Sequence, residues 1–200
     1  MDITDRIAII GAGITGPTLG LALAKLGYSV DLFEAHASRV EDVGSFLNLA
    51  PNGRTVLERL GVVDHVLSAG YSSAAITFSN HKGRMLASNP EVTTNIMRGP
   101  LSAGLREAAV AAGVRIHTGK RLVGLMQLES GCWKAKFADG SLSEATIVLG
   151  CDGVHSVTRS LLMPGATVPS YTGVIGSGGC SAINEEDLPV DGKFHMTFGL

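Results

Sequence analysis

The sequence is poor in the residues that build covalent or metal frameworks. It has three cysteines, Cys132, Cys151 and Cys180, too far apart to match a disulfide or zinc spacing. They read as free thiols in a reducing, cytoplasmic setting. Six histidines form no His-Glu-x-x-His pattern and no cluster, so no metal site is expected. Only 17% of residues are charged, the net charge is −2, and no block of one sign occurs. That excludes the basic face of a nucleic-acid binder. Asp2 and Asp5 stand where a signal peptide would be basic, so none is expected. The one long uncharged run, Ile7 to Ala24, contains four glycines and a proline, which argues against a membrane span. No internal repeat or low-complexity tract is present, and the single tryptophan, Trp133, reads as packing.

What is abundant is apolar residues, at 45%, and glycine, at 26 of 200 positions. Together they suit a turn-rich nucleotide fold of one domain, or one and a half, rather than a disordered chain. The glycines are organised near the start. Ile7 to Ile10 reads as a strand buried on both faces, followed by Gly11, Gly13 and Gly16 as Gly-x-Gly-x-x-Gly. A helix follows, with Leu19, Leu23 and Leu26 as its expected apolar stripe, Pro17 in its first turn and Gly27 as its stop. A second strand, Ser29 to Phe33, ends at Glu34, 18 positions after Gly16. Gly11 allows the turn, Gly13 lets a pyrophosphate approach the backbone, and Gly16 allows close helix packing. The helix N-terminus offers N–H groups and partial positive charge to phosphates. Glu34 is placed to accept hydrogen bonds from both ribose hydroxyls of an adenosine. Strand, helix and acid at these distances make the motif specific for a dinucleotide.

Further along, Pro51 and Asn52 open a helix carrying Val56, Leu57 and Leu60, closed by Gly61, and a short helix covers Val62 to Leu67. Ala75 to Ser79 and Met85 to Ala87 read as a hairpin around His81-Lys82-Gly83, inserted into the strand–helix alternation. A helix from Pro100 to Ala112 has the stripe Leu101, Leu105, Ala108, Ala109 and Ala112, ending at Gly113. Val114 to His117 is a strand. Arg121 to Leu128 and Cys132 to Phe137 form a meander with turns at Ser130-Gly131 and Asp139-Gly140. Ala145 to Leu149 reads as one apolar strand, and Val157 to Leu162 as a helix before Pro164. Tyr171 to Ile183 is Gly-rich and strand-like, Glu185-Glu186-Asp187 is a loop, and Lys193 to Leu200 alternates as a strand. Asp152, His155 and Ser156 are crowded into one turn without a Gly-x-Ser-x-Gly elbow, which excludes a hydrolytic triad.

These pieces resemble the single-component FAD-dependent monooxygenases of the para-hydroxybenzoate hydroxylase type. Three motifs carry the resemblance: Gly-Ala-Gly-Ile-Thr-Gly with Glu34; Ile147 to Arg159 with its Asp152-Gly153 pair; and Arg98 before the helix of Leu101 and Leu105. Gly44 to Gly61, including Ser45, resembles the family's segment beside the flavin ring. The resemblance implies an α/β, Rossmann-like FAD-binding fold in three layers, a parallel sheet with a β-meander. Part of a mostly antiparallel substrate-domain sheet would accompany it. Residues 1–71 and 99–165 would form the FAD-binding domain, and 72–98 and 166–200 an incomplete substrate-binding domain. FAD would be held by Gly11, Ala12, Gly13, Thr15, Gly16, Glu34, Ala35, Ser45, Arg98, Leu122 and Asp152. Arg98 would reach the phosphate–ribityl region, Leu122 the adenine through its backbone, and Asp152 the phosphate region indirectly.

In that family NADPH or NADH reduces the flavin and O2 then supplies a hydroxyl to an aromatic or similar electron-rich small molecule. The cofactor carries the hard chemistry, so no catalytic acid, base or nucleophile is named. The family's third motif, a Gly-Asp pair followed by a Pro- and Gly-rich stretch, has no counterpart here. Gly176-Ser-Gly-Gly179 stands where an arginine near the flavin is common. The expectation is an N-terminal portion of a chain about twice this length, paired as a homodimer or continued by a C-terminal half. Alternatives are another FAD oxidoreductase of this fold, an isoprenoid reductase or halogenase, and a non-catalytic FAD-binding module.

Overall fold

The structure, a computed structural model, describes residues 6–37, 45–176 and 191–199. In chain order the elements are β1 (Arg6–Ile10), α1 (Thr15–Lys25), β2 (Ser29–Phe33), β3 (Phe46–Leu49), α2 (Pro51–Arg59), α3 (Val63–Val66), β4 (Tyr71–Ser73), β5 (Ile76–Asn80) and β6 (Met85–Asn89). They continue with β7 (Thr93–Met97), α4 (Arg98–Ala111), β8 (Arg115–His117), β9 (Leu122–Gln127), β10 (Trp133–Phe137), β11 (Leu142–Ala145), β12 (Ile147–Gly150), α5 (Val157–Leu162) and β13 (Phe194–Phe198). The expectations for Gly44, for Ser177 to Ile183 with Cys180, for Glu185-Glu186-Asp187 and for Leu200 lie outside the described residues.

Packing divides the chain into two compact units. One is Met1–Glu41 with Ser102–Val174; the other is Asp42–Leu101 with Ile175–Leu200. The first unit holds a parallel sheet in the order β12-β1-β2-β8 and the meander β11-β10-β9. Because strand side chains alternate between faces, the sheet buries two different layers. Ala8, Ile10 and Phe33 meet Leu122, Ala135, Phe137 and Ala145 of the meander in one apolar cluster. Phe33 and Phe137 pack there with ring centroids 4.6 Å apart. Burying each ring contributes roughly 2–3 kcal/mol. The other face carries Ile7, Ile9, Val30 and Leu32, all buried.

Helix α1 lies on that second face differently from the expected stripe. Its buried residues are Gly16, Pro17, Gly20 and Leu21, while Leu26 is 75% exposed. A Cβ on Gly20 would sit 3.5 Å from Val114 and 3.6 Å from Ile9, so the helix backbone itself is close to the sheet. Glycine carries no hydrophobic signal, so a leucine period pointed to the wrong face. Val56 on α2 is likewise exposed, with only Leu57 buried. The segment read as one strand from Ala145 to Leu149 is two. β11 pairs antiparallel with β10, the chain turns at Thr146, whose N–H donates to the Arg6 carbonyl, and β12 then runs parallel to β1. Tyr171 to Gly176 is not strand. No helix among the described residues is long and apolar enough to cross a membrane.

The second unit has two small sheets. In one, β5 pairs antiparallel with β6 and parallel with β13. In the other, β7 lies between β3 and β4, antiparallel to both. Its ladder is polar inside: the Asn48 amide donates to Thr93 Oγ1 and Asn95 Oδ1, each at 2.8 Å, and the Asn95 amide donates to Ser73 Oγ at 2.6 Å.

One buried charge stands out in the first unit. Asp31, on β2, is 1% exposed. Its carboxylate accepts hydrogen bonds from Arg6 Nε on β1 at 2.7 Å, and from Arg115 Nε and Nη2 on β8 at 2.9 Å each. His117 Nε2 lies 2.8 Å away. Burial pushes this carboxyl up, but the bonds from Arg115, His117 and Arg6 outweigh it and hold the group well below the usual carboxylate range. Asp31→Ala should therefore cost roughly 1.5–3 kcal/mol of stability in urea unfolding at neutral pH, because it removes the charge-assisted hydrogen bonds that join three strands. Folding lowers this pKa, so the stabilisation is present above the ordinary value of 3.8 and is lost as pH falls below it. The gap between wild type and variant should narrow below about pH 4.

Candidate functional site

A cavity of about 470 Å³ opens at the C-terminal ends of β1, β2 and β12, in the first unit. β1 is the strand from which the sheet order departs in both directions, and ligands bind at such a switch point. Gly11, Gly13, Glu34, Ala35, Leu122 and Asp152 all line it, so six sequence-predicted residues from four segments are brought together. His36, Lys120, Arg121, Cys151 and His155 line it as well. Cys151 and His155 lie within the Ile147 to Arg159 motif, whereas His36, Lys120 and Arg121 lie outside every motif.

Gly11 and Gly16 are required by the protein itself, and Gly13 is not. Gly11 has φ +103°, and a Cβ there would lie 2.5 Å from the Cys151 carbonyl oxygen. A Cβ on Gly16 would collide with the Gly11 carbonyl oxygen. Gly13 is exposed, and a Cβ on it would meet no protein atom within 4 Å. Nothing in the protein forbids a side chain at Gly13, and a bare position there leaves the cavity open to a ligand. Beyond it, α1 begins at Thr15 with no side-chain cap and no acidic residue in its first turn. Its terminal N–H groups and partial positive charge are left for an anion.

Glu34 is fixed from all sides. Its backbone N–H donates to the His117 carbonyl at 2.8 Å, and its carbonyl accepts from Lys120 at 2.7 Å. Its Oε2 accepts the Ala12 N–H at 2.9 Å, and Oε1 accepts the His36 N–H at 2.9 Å, with His36 Nδ1 equally near. Burial raises its pKa, but the hydrogen bonds from His36 and Ala12 more than offset this, so the group stays ionised. Oε2, with one bond made, retains acceptor capacity for a ribose hydroxyl.

The Asp152 loop is built to hold itself. Asp152 Oδ1 accepts the Ser156 hydroxyl at 2.5 Å, and Oδ2 accepts the Thr158 N–H at 2.9 Å and its hydroxyl at 3.0 Å. Ser156 Oγ caps α5 by accepting the Arg159 N–H, and Arg159 Nη2 donates to the Val154 carbonyl at 2.6 Å. Asp152 is thus spent on shaping the cavity wall. Burial raises its carboxyl and these bonds lower it further, leaving it below its ordinary value. Burial and the Asp152 charge push the neighbouring Cys151 thiol up, which keeps it protonated and unsuited to nucleophilic work. Lys120 faces the cavity, but its ammonium is committed to Asp139 at 2.6 Å and Ser141 at 2.9 Å. Among the described residues, no group of three or more His, Cys, Asp or Glu is placed to hold a metal ion.

Ser45 and Arg98 belong to the second unit. The Arg98 N–H donates to the Ser45 carbonyl at 3.3 Å, and both residues are exposed.

A family model described as FAD binding domain matches residues 4–197. The chain belongs to this FAD-binding domain family. The 6-hydroxynicotinate 3-monooxygenase of Bordetella bronchiseptica is 33% identical over 181 residues, 85% of this chain and 46% of that protein. The 3-amino-4-hydroxybenzoate 2-monooxygenase of Streptomyces cremeus is 32% identical, over 84% of this chain and 44% of its own length. Among solved structures, the tetrameric form of 2-methyl-3-hydroxypyridine-5-carboxylic acid oxygenase superposes with TM-score 0.70 at 26% identity, over 80% of this chain and 42% of that one. The chain therefore spans less than half the length of these relatives.

The cavity fits the adenosine and pyrophosphate half of FAD. Glu34 would hold the ribose, the open Gly13 and the uncapped α1 would take the pyrophosphate, and the buried Leu122 would lie beside the adenine. The glycines separate folding from binding. Gly13→Ala should leave stability within about 0.5 kcal/mol, yet weaken FAD binding at least about tenfold by filling the pyrophosphate's space. Gly16→Ala should cost about 1–3 kcal/mol in the same unfolding assay, because backbone must move.

Proposed function

We propose that this chain is the cofactor-holding part of an FAD-dependent monooxygenase. The enzyme would use NADPH or NADH and O2 to hydroxylate an aromatic or similar electron-rich small molecule in the cytoplasm. The observation that carries the reading is the cavity in which an ionised Glu34 and the uncapped start of α1 flank an open Gly13. An ionised acid and a positive helix end match the ribose and the pyrophosphate of an ADP moiety. The names of the relatives, which act on hydroxylated pyridine and benzoate rings, support an electron-rich ring as the substrate.

When bound, FAD supplies the redox chemistry. The chain's own residues bind and orient it. Glu34 accepts from the ribose hydroxyls, the loop from Ala12 to Gly16 presents N–H groups to the phosphates, and the Asp152–Ser156–Arg159 loop closes the wall. Arg98 is assigned to the phosphate–ribityl region and Ser45 to the flavin side. Ser102 and Arg106 bond to the glycine loop. Residues 1–71 and 99–165 are assigned to FAD binding, and 72–98 and 166–200 to the substrate side.

FAD titration by fluorescence quenching tests the cofactor assignment. Glu34→Ala should weaken binding by roughly 1.5–3 kcal/mol, on the order of 10- to 150-fold. Equal affinities would remove Glu34 from the ribose. Arg98→Lys should bind FAD more weakly than wild type, since a point charge does not reproduce a planar fork. Undiminished affinity would place Arg98 outside the cofactor site. The activity is checked by oxygen-dependent NADPH or NADH oxidation stimulated by hydroxypyridines or hydroxybenzoates, with a hydroxylated product; oxidation without product would mark a reductase or oxidase instead.

A further inference from the structure

The Gly-x-Gly-x-x-Gly loop is held by a helix that no dinucleotide motif includes. From α4, Ser102 Oγ donates to the Gly13 carbonyl oxygen at 3.0 Å. One turn further, Arg106 Nη1 donates to the Ala12 carbonyl oxygen at 3.2 Å. Two consecutive peptide groups of the loop are therefore gripped by their oxygens from the same side of one helix.

The geometry of the peptide bond gives this grip a consequence. In a planar trans peptide, a carbonyl and the N–H that follows it point in opposite directions. Holding the Ala12 oxygen on the α4 side turns the Gly13 N–H away from α4. Holding the Gly13 oxygen turns the Ile14 N–H the same way. Among the described residues neither N–H has a protein acceptor. The preceding N–H, of Ala12, is spoken for by Glu34 Oε2. The loop thus presents two successive free donors beside a glycine that faces the cavity.

Glycine makes the grip necessary. Gly13 has no Cβ, so its two flanking peptide planes can rotate widely at little steric cost. A ligand meeting a freely rotating loop would have to order it on binding, which weakens affinity; a loop ordered beforehand does not. We propose that Ser102 and Arg106 are positioning residues, which pre-orient the Gly13 and Ile14 N–H groups toward the pyrophosphate of FAD. This rests on the FAD reading above. Arg106 acts here through one donor: its Nε is buried and makes no hydrogen bond. A lysine that reaches the same carbonyl would do the same work.

The test uses the full 200-residue chain and three ligands, FAD, ADP and adenosine, with adenosine measured by displacement of ADP. Ser102→Ala removes one grip without changing charge. It should weaken FAD and ADP about fivefold, the worth of one ordinary hydrogen bond, and leave adenosine within about twofold. Arg106→Met should show the same split, and Arg106→Lys should restore wild-type values. In the wild-type amide spectrum, ADP should shift the Gly13 and Ile14 resonances most, and in Ser102→Ala the Ile14 shift should shrink. An equal loss for adenosine and ADP would reduce both residues to structural supports and overturn the proposal. So would unchanged FAD affinity in Ser102→Ala, or an Ile14 amide indifferent to ADP. If Arg106→Met does not fold, Ser102→Ala and Arg106→Lys still decide the matter. A wild-type chain that binds neither FAD nor ADP would instead overturn the cofactor reading, and the proposal with it.

Discussion

The first unit depends on a place where there is no room for side chains. The turn after β1 passes so close to the Cys151 carbonyl that a Cβ on Gly11 would sit 2.5 Å from it. The start of α1 passes so close to Gly11 that Gly16 must also be bare. Contacts this near let β1 and β12 open around a single turn while α1 starts directly above the sheet. The cavity, the uncapped helix end and the reach of Glu34 to Ala12 all follow from that crowding. Close packing tolerates no intermediate solution here, because the obstacles are backbone atoms that cannot change rotamer.

Much of the first unit was legible in the sequence. β2 and α5 fall where periodicity and breakers put them, and Gly11, Gly13, Glu34, Ala35, Leu122 and Asp152, all singled out from the sequence, line one cavity. The failures have physical causes. The leucine period of α1 marked a face that stays partly in solvent, because the helix meets the sheet through Gly16 and Gly20, which add nothing to a hydrophobic pattern. The run from Ala145 to Leu149 hid a change of sheet, since it is apolar almost throughout and nothing in its composition marks Thr146 as the corner. Asp31 lay between apolar neighbours in a strand, and its three basic partners come from residues 6, 115 and 117, invisible without the fold.

The second unit was less legible. Strands β3, β4 and β7 carry Asn48, Ser73, Thr93 and Asn95 where a buried strand ordinarily carries apolar side chains. Such residues read as loop, because they favour turns. They form strand here because each polar group finds its partner across the ladder, so burial costs little. Pattern recognition sees a single chain segment, whereas this stability exists only between segments.

The carboxylate of Asp31 also bears on how the sheet assembles. It stands opposite Ala8 on one side and Arg115 on the other, on the face that carries Phe33. If β2 slipped by one residue, every side chain would exchange faces. Asp31 would then be driven into the layer now filled by Ile9, Val30 and Leu32, where no buried cation lies among the described residues. An all-apolar strand could slide among neighbouring registers at small cost. One acid in β2, answered by Arg6 on β1 and by Arg115 and His117 on β8, makes the native alignment of three strands the one in which its charge is tolerated. The group thus acts as an error check on strand alignment, and it leaves the crevice at the strand ends with a single geometry.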